Sequence, residues 1–253
     1  MTGWRARIGI LFPGNSLVDD ELWQWVPEGV SVHINRLESI ETLRIPYTAA
    51  VAQERSQSPD LEAATRNLRI VAPTSVAYAC TSGSFVGGLG HDLAIIERLA
   101  RVAEAPVTTT STAMVEALRE MGIERVAVAA PYLDELSERL RAFLEASGIK
   151  VTDVRALNLG RDFGTVPASE AYRLARRADG PGADGVLIAC TALPTLSVIE
   201  HLEEDLGKPV ITANQATMWE ALRLSGVATT SMGGRGSLYR RPPGSQPGRE
   251  VPR

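Results

Sequence analysis

The chain is poor in cysteine, histidine and lysine, and each shortage narrows what it can be. Two cysteines in 253 residues are too few for a disulfide framework. They have no Cys or His partner close by in sequence. His33, His91 and His201 do not fall in ligand spacing, so a zinc site has no ligand set. Lys150 and Lys208 are the only lysines, the net charge is -4, and no basic stripe is present, which argues against a nucleic-acid partner. No apolar run approaches the length of a membrane span. No signal-peptide core precedes the first strand pattern, which leads us to expect a cytoplasmic protein. What remains is ordinary globular composition, 44% hydrophobic and 22% charged, in a chain long enough for one large domain or two small ones.

Apolar runs that suit buried strands alternate with segments of helical period. Strands are predicted at Arg5–Phe12, Val30–Asn35, Val76–Cys80, Pro106–Thr110, Val126–Ala130, Lys150–Leu157, Val186–Cys190 and Pro209–Thr212. Helices are expected from Asp19, from Asp60 to about Val71, and over 91–103, 111–121, 133–147, 167–178, 193–205 and 215–224. Residues 37–58 and 158–166 read as irregular. From Gly233 onward the chain is rich in Gly, Pro, Ser and Arg and reads as a disordered tail. Trp23, Trp25 and Trp219 suit the core better than an interface. The alternation predicts parallel sheets covered on both faces, in which ligands bind beyond the carboxyl ends of the strands.

Both cysteines lie at such ends, in the same tripeptide. Val76-Ala-Tyr-Ala-Cys-Thr-Ser-Gly-Ser-Phe85 and Val186-Leu-Ile-Ala-Cys-Thr-Ala-Leu-Pro-Thr195 each carry Ala-Cys-Thr after an apolar run. The repetition continues. Pro106-Val-Thr-Thr-Thr-Ser-Thr-Ala-Met-Val-Glu-Ala-Leu-Arg119 matches Pro209-Val-Ile-Thr-Ala-Asn-Gln-Ala-Thr-Met-Trp-Glu-Ala-Leu-Arg223 with one residue inserted. Two such units related by an approximate two-fold axis would bring Cys80 and Cys190 to one cleft. We therefore expect two pseudo-symmetric, Rossmann-like α/β domains. The first would comprise 5–105 plus about 213–232, the second 106–212, and 233–253 would be tail.

A lone cysteine is usually a small buried hydrophobe, but two at matched strand ends point to chemistry. A helix start after each would lower its pKa through the dipole and backbone donors. Thr81, Ser82, Ser84 and Thr191 supply hydroxyls, and Gly83, Gly87 and Gly88 let the backbone turn its N–H groups inward. Such a site suits a carboxylate and, better still, an enolate. Ser and Thr also cap helices, so the hydroxyls have a structural use as well.

Paired strand-end cysteines, Cys190-Thr-Ala-Leu-Pro-Thr195, Pro131-Tyr-Leu-Asp-Glu-Leu136 and Asn214-Gln-Ala-Thr-Met-Trp219 resemble the aspartate/glutamate racemase superfamily over about residues 5–232. The branch is that of maleate cis-trans isomerase and arylmalonate decarboxylase. The resemblance implies a cofactor-independent, homodimeric enzyme acting on a small carboxylate or dicarboxylate. It makes Cys80 the nucleophile and Cys190 its acid/base partner. Tyr132 would hold a substrate carboxylate, Thr81 and Ser82 would match the decarboxylase's carboxylate-holding pair, and Asn158 would touch the ligand. Thr191 and Ala192 would line the site beside Cys190. Asn15 is a looser match to an asparagine that maleate isomerases carry after strand one. The decarboxylase has Gly where this chain has Cys80, so keeping both sulfurs favours two-sided chemistry. The leading expectation is maleate-to-fumarate isomerisation. An amino-acid or hydroxy-acid racemase, an arylmalonate-type decarboxylase and a non-catalytic acid-binding relative stand as alternatives. If the thiols are activated as expected, both should react with iodoacetamide near neutral pH much faster than free cysteine.

Overall fold

The structure, a computed structural model, describes residues 2–14, 16–37 and 45–241. The predicted parallel sheets are present as two four-stranded sheets of identical design. The first half runs β1 (Ala6–Pro13), α1 (Asp19–Gln24), β2 (Val30–Leu37), α2 (Ala49–Gln57), α3 (Asp60–Leu68), β3 (Ser75–Tyr78), α4 (Thr81–Phe85), α5 (His91–Ala103), β4 (Val107–Thr109) and α6 (Thr110–Glu120). The second runs β5 (Arg125–Ala130), α7 (Asp134–Ala146), β6 (Lys150–Ala156), α8 (Ala168–Ala178), β7 (Gly185–Ile188), α9 (Ile199–Leu206), β8 (Val210–Thr212) and α10 (Ala213–Leu224), followed by α11 (Ser237–Arg240). The strand orders are β2-β1-β3-β4 and β6-β5-β7-β8. Every pairing is parallel.

The inner strands β3 and β7 are buried along their whole length, and β1 and β5 nearly so. That is why they read as continuous apolar runs and not as alternations. The helices over them put one stripe inward. In α7 the stripe is Leu136, Leu140, Phe143 and Leu144, and in α8 it is Ala171, Leu174, Ala175 and Ala178. Helices α6 and α10 differ, because they pack on each other between the halves. Residues 213–222 of α10 are all buried, so it has little amphipathic pattern. Thr110 Oγ1 meets Thr217 Oγ1 at 2.9 Å where the two helices meet.

These two helices begin and end alike, as their matching sequences require. Thr109 and Thr212 cap them, accepting from Thr112 N and Gln215 N, each at 3.2 Å. Both finish in a Schellman closure. Ile123 N donates to Leu118 O and Val227 N to Leu222 O, each at 2.9 Å. Gly122 and Gly226 take the left-handed position at φ 68° and 70°, which costs a residue without Cβ little.

Several expectations need correction. A boundary at 105/106 would cut β4 from its sheet, because Val107–Thr109 pair with β3. Residues 37–58 are not wholly irregular: α2 forms with Thr48 as its cap, accepting from Val51 N. The helix expected from Leu193 begins only at Ile199, because Pro194 pushes the residue before it out of the helical region. Trp25 and Trp219 are buried, but Trp23 is exposed. The tail from 233 is structured as far as Arg241; Leu238 and Tyr239 are fully buried. Tyr239 packs on Trp25 with ring centroids 5.4 Å apart, and its hydroxyl donates to Trp25 O at 3.1 Å. The rest of the expected tail lies outside the described residues.

Among the described residues no helix is long and apolar enough to cross a membrane. No group of three or more His, Cys, Asp or Glu side chains there could hold a metal ion.

The buried end of the chain carries a testable cost. Tyr239→Ala should destabilise the protein by roughly 3–5 kcal/mol, the range for truncating a large core aromatic. Tyr239→Phe should cost only about 1 kcal/mol, one hydrogen bond. Urea denaturation followed by tryptophan fluorescence measures both.

Candidate active site

Cys80 and Cys190 follow equivalent strands and line one cleft between the two sheets, with Pro13, Ser16, Tyr47, Thr81, Ser82, Tyr132, Phe163, Thr191 and Ala192. Both sulfur-bearing residues are buried. The ends of β3 and β7 are positioned by the same ladder step, since Ala79 N donates to Leu11 O at 2.9 Å and Ala189 N to Ala129 O at 2.8 Å.

Beyond that step the halves diverge. Cys80 has extended backbone, and α4 begins directly after it. Ser84 Oγ lies 2.8 Å from Cys80 O and 2.7 Å from Ser111 Oγ, and it accepts from Ser111 N at 3.1 Å. The Ser84 hydroxyl is therefore spent holding the Cys80 loop. Gly83 is obligatory by space: a Cβ there would sit 2.3 Å from Tyr78 Oη and 3.0 Å from Cys80 Sγ.

Cys190 has φ 96°, a left-handed conformation rare outside glycine, of a kind that costs about 1–3 kcal/mol. No helix follows it; residues 191–198 form turns before α9. The cleft is stitched shut beside it. Thr191 Oγ1 donates to Ala79 O at 2.9 Å, and Ser16 Oγ donates to Thr191 O at 3.2 Å.

The expected thiol activation needs correction at Cys190. Burial pushes its thiol up to about 12. Ala192 N, Leu193 N and the Tyr132 hydroxyl would each favour the thiolate but do not offset the lost solvation. Cys190 is thus a protonated thiol at neutral pH. Tyr132 is fully buried between Cys190 and Thr81, and desolvation with the neighbouring sulfurs holds its phenol well above the usual range. It is a neutral donor. Tyr47 Oη lies 3.9 Å from Cys80 Sγ and accepts from Ser82 Oγ at 3.0 Å.

Aromatic rings enclose the sulfurs. Tyr47 and Tyr132 both meet Phe163 edge to face, at 5.8 and 5.7 Å, and Tyr132 meets Phe85 at 6.0 Å. The cleft is partly open, and its free volume of ≈ 20 Å³ has room for about one water, less than a dicarboxylate fills. Among the described residues no Lys, Arg or His lines the cleft. Anion binding there falls to hydroxyls and backbone N–H groups. Thr81 Oγ1 is buried against the Tyr132 hydroxyl, to which it can donate, and both groups are placed to meet a ligand acceptor.

Seven of the nine site residues expected from sequence are therefore brought together: Cys80, Thr81, Ser82, Tyr132, Cys190, Thr191 and Ala192. Asn158 is not with them. It is exposed and holds a left-handed turn at φ 54°, a conformation asparagine tolerates. Asn15 lies outside the described residues. Sequence reasoning missed Pro13, Ser16, Tyr47 and Phe163. The carboxyl-end rule could have found the first two, at the end of β1 and just past it. Tyr47 and Phe163 were visible only as single aromatics in otherwise polar loops.

A sequence profile described as arylmalonate decarboxylase matches residues 56–239. The chain belongs to the arylmalonate decarboxylase family. Within it, the arylmalonate decarboxylase of Bordetella bronchiseptica is 34% identical over 178 residues, 69% of this chain and 74% of that protein. The maleate isomerase of Nocardia farcinica is 30% identical over 227 residues, 86% and 89% of the two chains. Among solved structures, a variant of the Nocardia farcinica maleate cis-trans isomerase with a covalently bound succinylcysteine intermediate superposes with TM-score 0.84 at 26% identity, covering 93% of this chain and 98% of that one. These likenesses identify the chain as an enzyme of the racemase-like superfamily branch that holds isomerases and decarboxylases.

Two measurements test the geometry. Gly83→Ala should displace the Cys80 sulfur and slow its carbamidomethylation at least about tenfold, the effect of a 1.4 kcal/mol barrier, with the far-UV circular dichroism unchanged. Labelling of Cys190 should stay low from pH 7 to 10 and rise only toward pH 12, unlike free cysteine, whose thiolate appears near pH ~8.5. Peptide mass spectrometry after iodoacetamide pulses resolves the two sites.

Proposed function

We propose that this chain is a cofactor-independent isomerase of a small carboxylate, most concretely one that converts maleate to fumarate. The observation that carries the reading is the pair of thiols lining one cleft, beside the Thr81 and Tyr132 hydroxyls and with no cationic side chain among the described lining residues. One-sided decarboxylation needs a single proton donor, whereas two sulfurs suit addition and reversal.

In this reading the Cys80 thiolate adds to one alkene carbon of maleate. The alkene electron pair moves to the other carbon and into its carboxylate as an enediolate, which Thr81 Oγ1 and Tyr132 Oη hydrogen-bond. Rotation about the new single bond turns the cis arrangement trans. The electron pair then returns to form the double bond and expels the Cys80 thiolate, releasing fumarate. Cys190, protonated through burial, shields the carbanion from bulk water and can lend it a proton, giving a succinyl adduct that returns the proton before elimination. The Nocardia farcinica variant with its succinylcysteine supports such an adduct. Ser82 Oγ donates to Tyr47 Oη, which leaves the tyrosine proton to steady the Cys80 sulfur.

Proton NMR of the enzyme with maleate in deuterium oxide tests this. Fumarate should appear, Cys80→Ala should abolish it, and Thr81→Ala should raise KM about tenfold to a hundredfold, the loss of one charged hydrogen bond. Deuterium entering an α-position of an amino or hydroxy acid, without fumarate, would move the assignment to racemase. Decarboxylation of an arylmalonate that survives Cys80→Ala would move it to decarboxylase.

A further inference from the structure

We infer that Glu21 is a positioning residue for Cys190, a carboxylate from the first half that fixes the loop carrying the second-half thiol. Glu21 lies in α1 and is only 6% exposed. It sits against no cation: among the described residues none forms an ion pair with it. Its oxygens accept from the other half of the active-site cleft instead. Oε1 accepts from Thr195 N at 2.7 Å and from Leu196 N. Oε2 accepts from Asn214 Nδ2 at 3.2 Å.

Asn214 carries the link onward. Its second amide hydrogen goes to Leu193 O at 3.3 Å. The Leu193 N–H in turn donates to Cys190 O at 3.2 Å and faces the Cys190 sulfur. A path of hydrogen bonds therefore runs from Glu21 through Asn214 and Leu193 to Cys190. It ends on a residue whose left-handed φ persists only if its surroundings hold it. Burying a carboxylate without a cation is costly, and here that cost is offset by three N–H donors that an apolar side chain would leave unpaired. What the carboxylate adds is three accepting interactions that fix the loop's position. A misplacement of about 1 Å in a reacting group is enough to cost about a hundredfold in rate.

The inference rests on the reading of Cys190 as the partner thiol, so its test reads the sulfur separately from turnover. Glu21→Gln keeps the shape but sets an amide NH2 against the Asn214 NH2. Asn214→Ala removes the bridge between Glu21 Oε2 and Leu193 O while leaving the Glu21 bonds to Thr195 N and Leu196 N, and serves if the first variant does not fold. Asp20→Asn, a change of an exposed neighbour, is the control. Carbamidomethylation of each cysteine, thermal unfolding, kcat and KM are measured on the full chain. With Glu21 replaced, labelling of Cys190 should rise about tenfold as the loop loosens, with Cys80 and Tm near wild type. On the substrate found by NMR, kcat should fall about tenfold and KM less than twofold. Labelling that is unchanged at both cysteines, or that rises at both in step with a fall in Tm, would overturn the positioning role. A rise at Cys190 alone with unaltered kcat would uphold Glu21's hold on the loop and sink the part given to Cys190 in turnover.

Discussion

Thr191 reaches across the cleft to donate its hydroxyl to Ala79 O, the carbonyl just before Cys80. With Ser16 donating back to Thr191 O, this is the contact that makes two similar half-molecules into one site. Parallel sheets leave their carboxyl ends frayed into loops, and each sulfur here sits on such a loop. Without a tie between them the two thiols would belong to separate surfaces. The same tripeptide, Ala-Cys-Thr, supplies both the reactive atom and, in the second half, the tie.

Two sequence copies have become two unequal environments. At Cys80 the backbone is extended, a short helix follows, and serine and tyrosine hydroxyls surround the sulfur and its carbonyl. At Cys190 the backbone is left-handed, no helix follows directly, and desolvation dominates the local donors. Burial therefore decides the protonation state at Cys190, where helix-dipole reasoning pointed the other way. A site with one sulfur kept as a thiol and another among hydroxyls is suited to asymmetric roles.

The repeat was legible because parallel strands buried on both faces leave unbroken apolar runs. The Glu-Ala-Leu-Arg helices, moreover, end in the glycines their closures require. The seven clustered site residues were legible because they adjoin the cysteines or, like Tyr132, follow the carboxyl end of another strand, β5. Asn158 misled because a left-handed loop position selects asparagine as readily as a ligand does. Tyr47 and Phe163 come from loops whose course depends on long-range contacts, such as Tyr47 N donating to Gly160 O at 2.6 Å, and no local pattern encodes these. Glu21 was hidden for a similar reason. In sequence it is one acid of three at a helix start, and only the fold shows that its partners are 174 and more residues away.

Among the described residues the cleft wall carries no cationic side chain, which bears on how anions are told apart. A fixed positive charge attracts every oxyanion within reach, whatever its shape. Hydroxyls and amides reward only lone pairs that arrive along their own axes, and they repay little of a dianion's hydration otherwise. A tetrahedral ion such as phosphate presents its oxygens along other axes than a planar carboxylate, so hydroxyls and amides hold the two with different strength. With no fixed positive charge among the described lining residues, the cleft lacks the long-range capture that a charged mouth would give it.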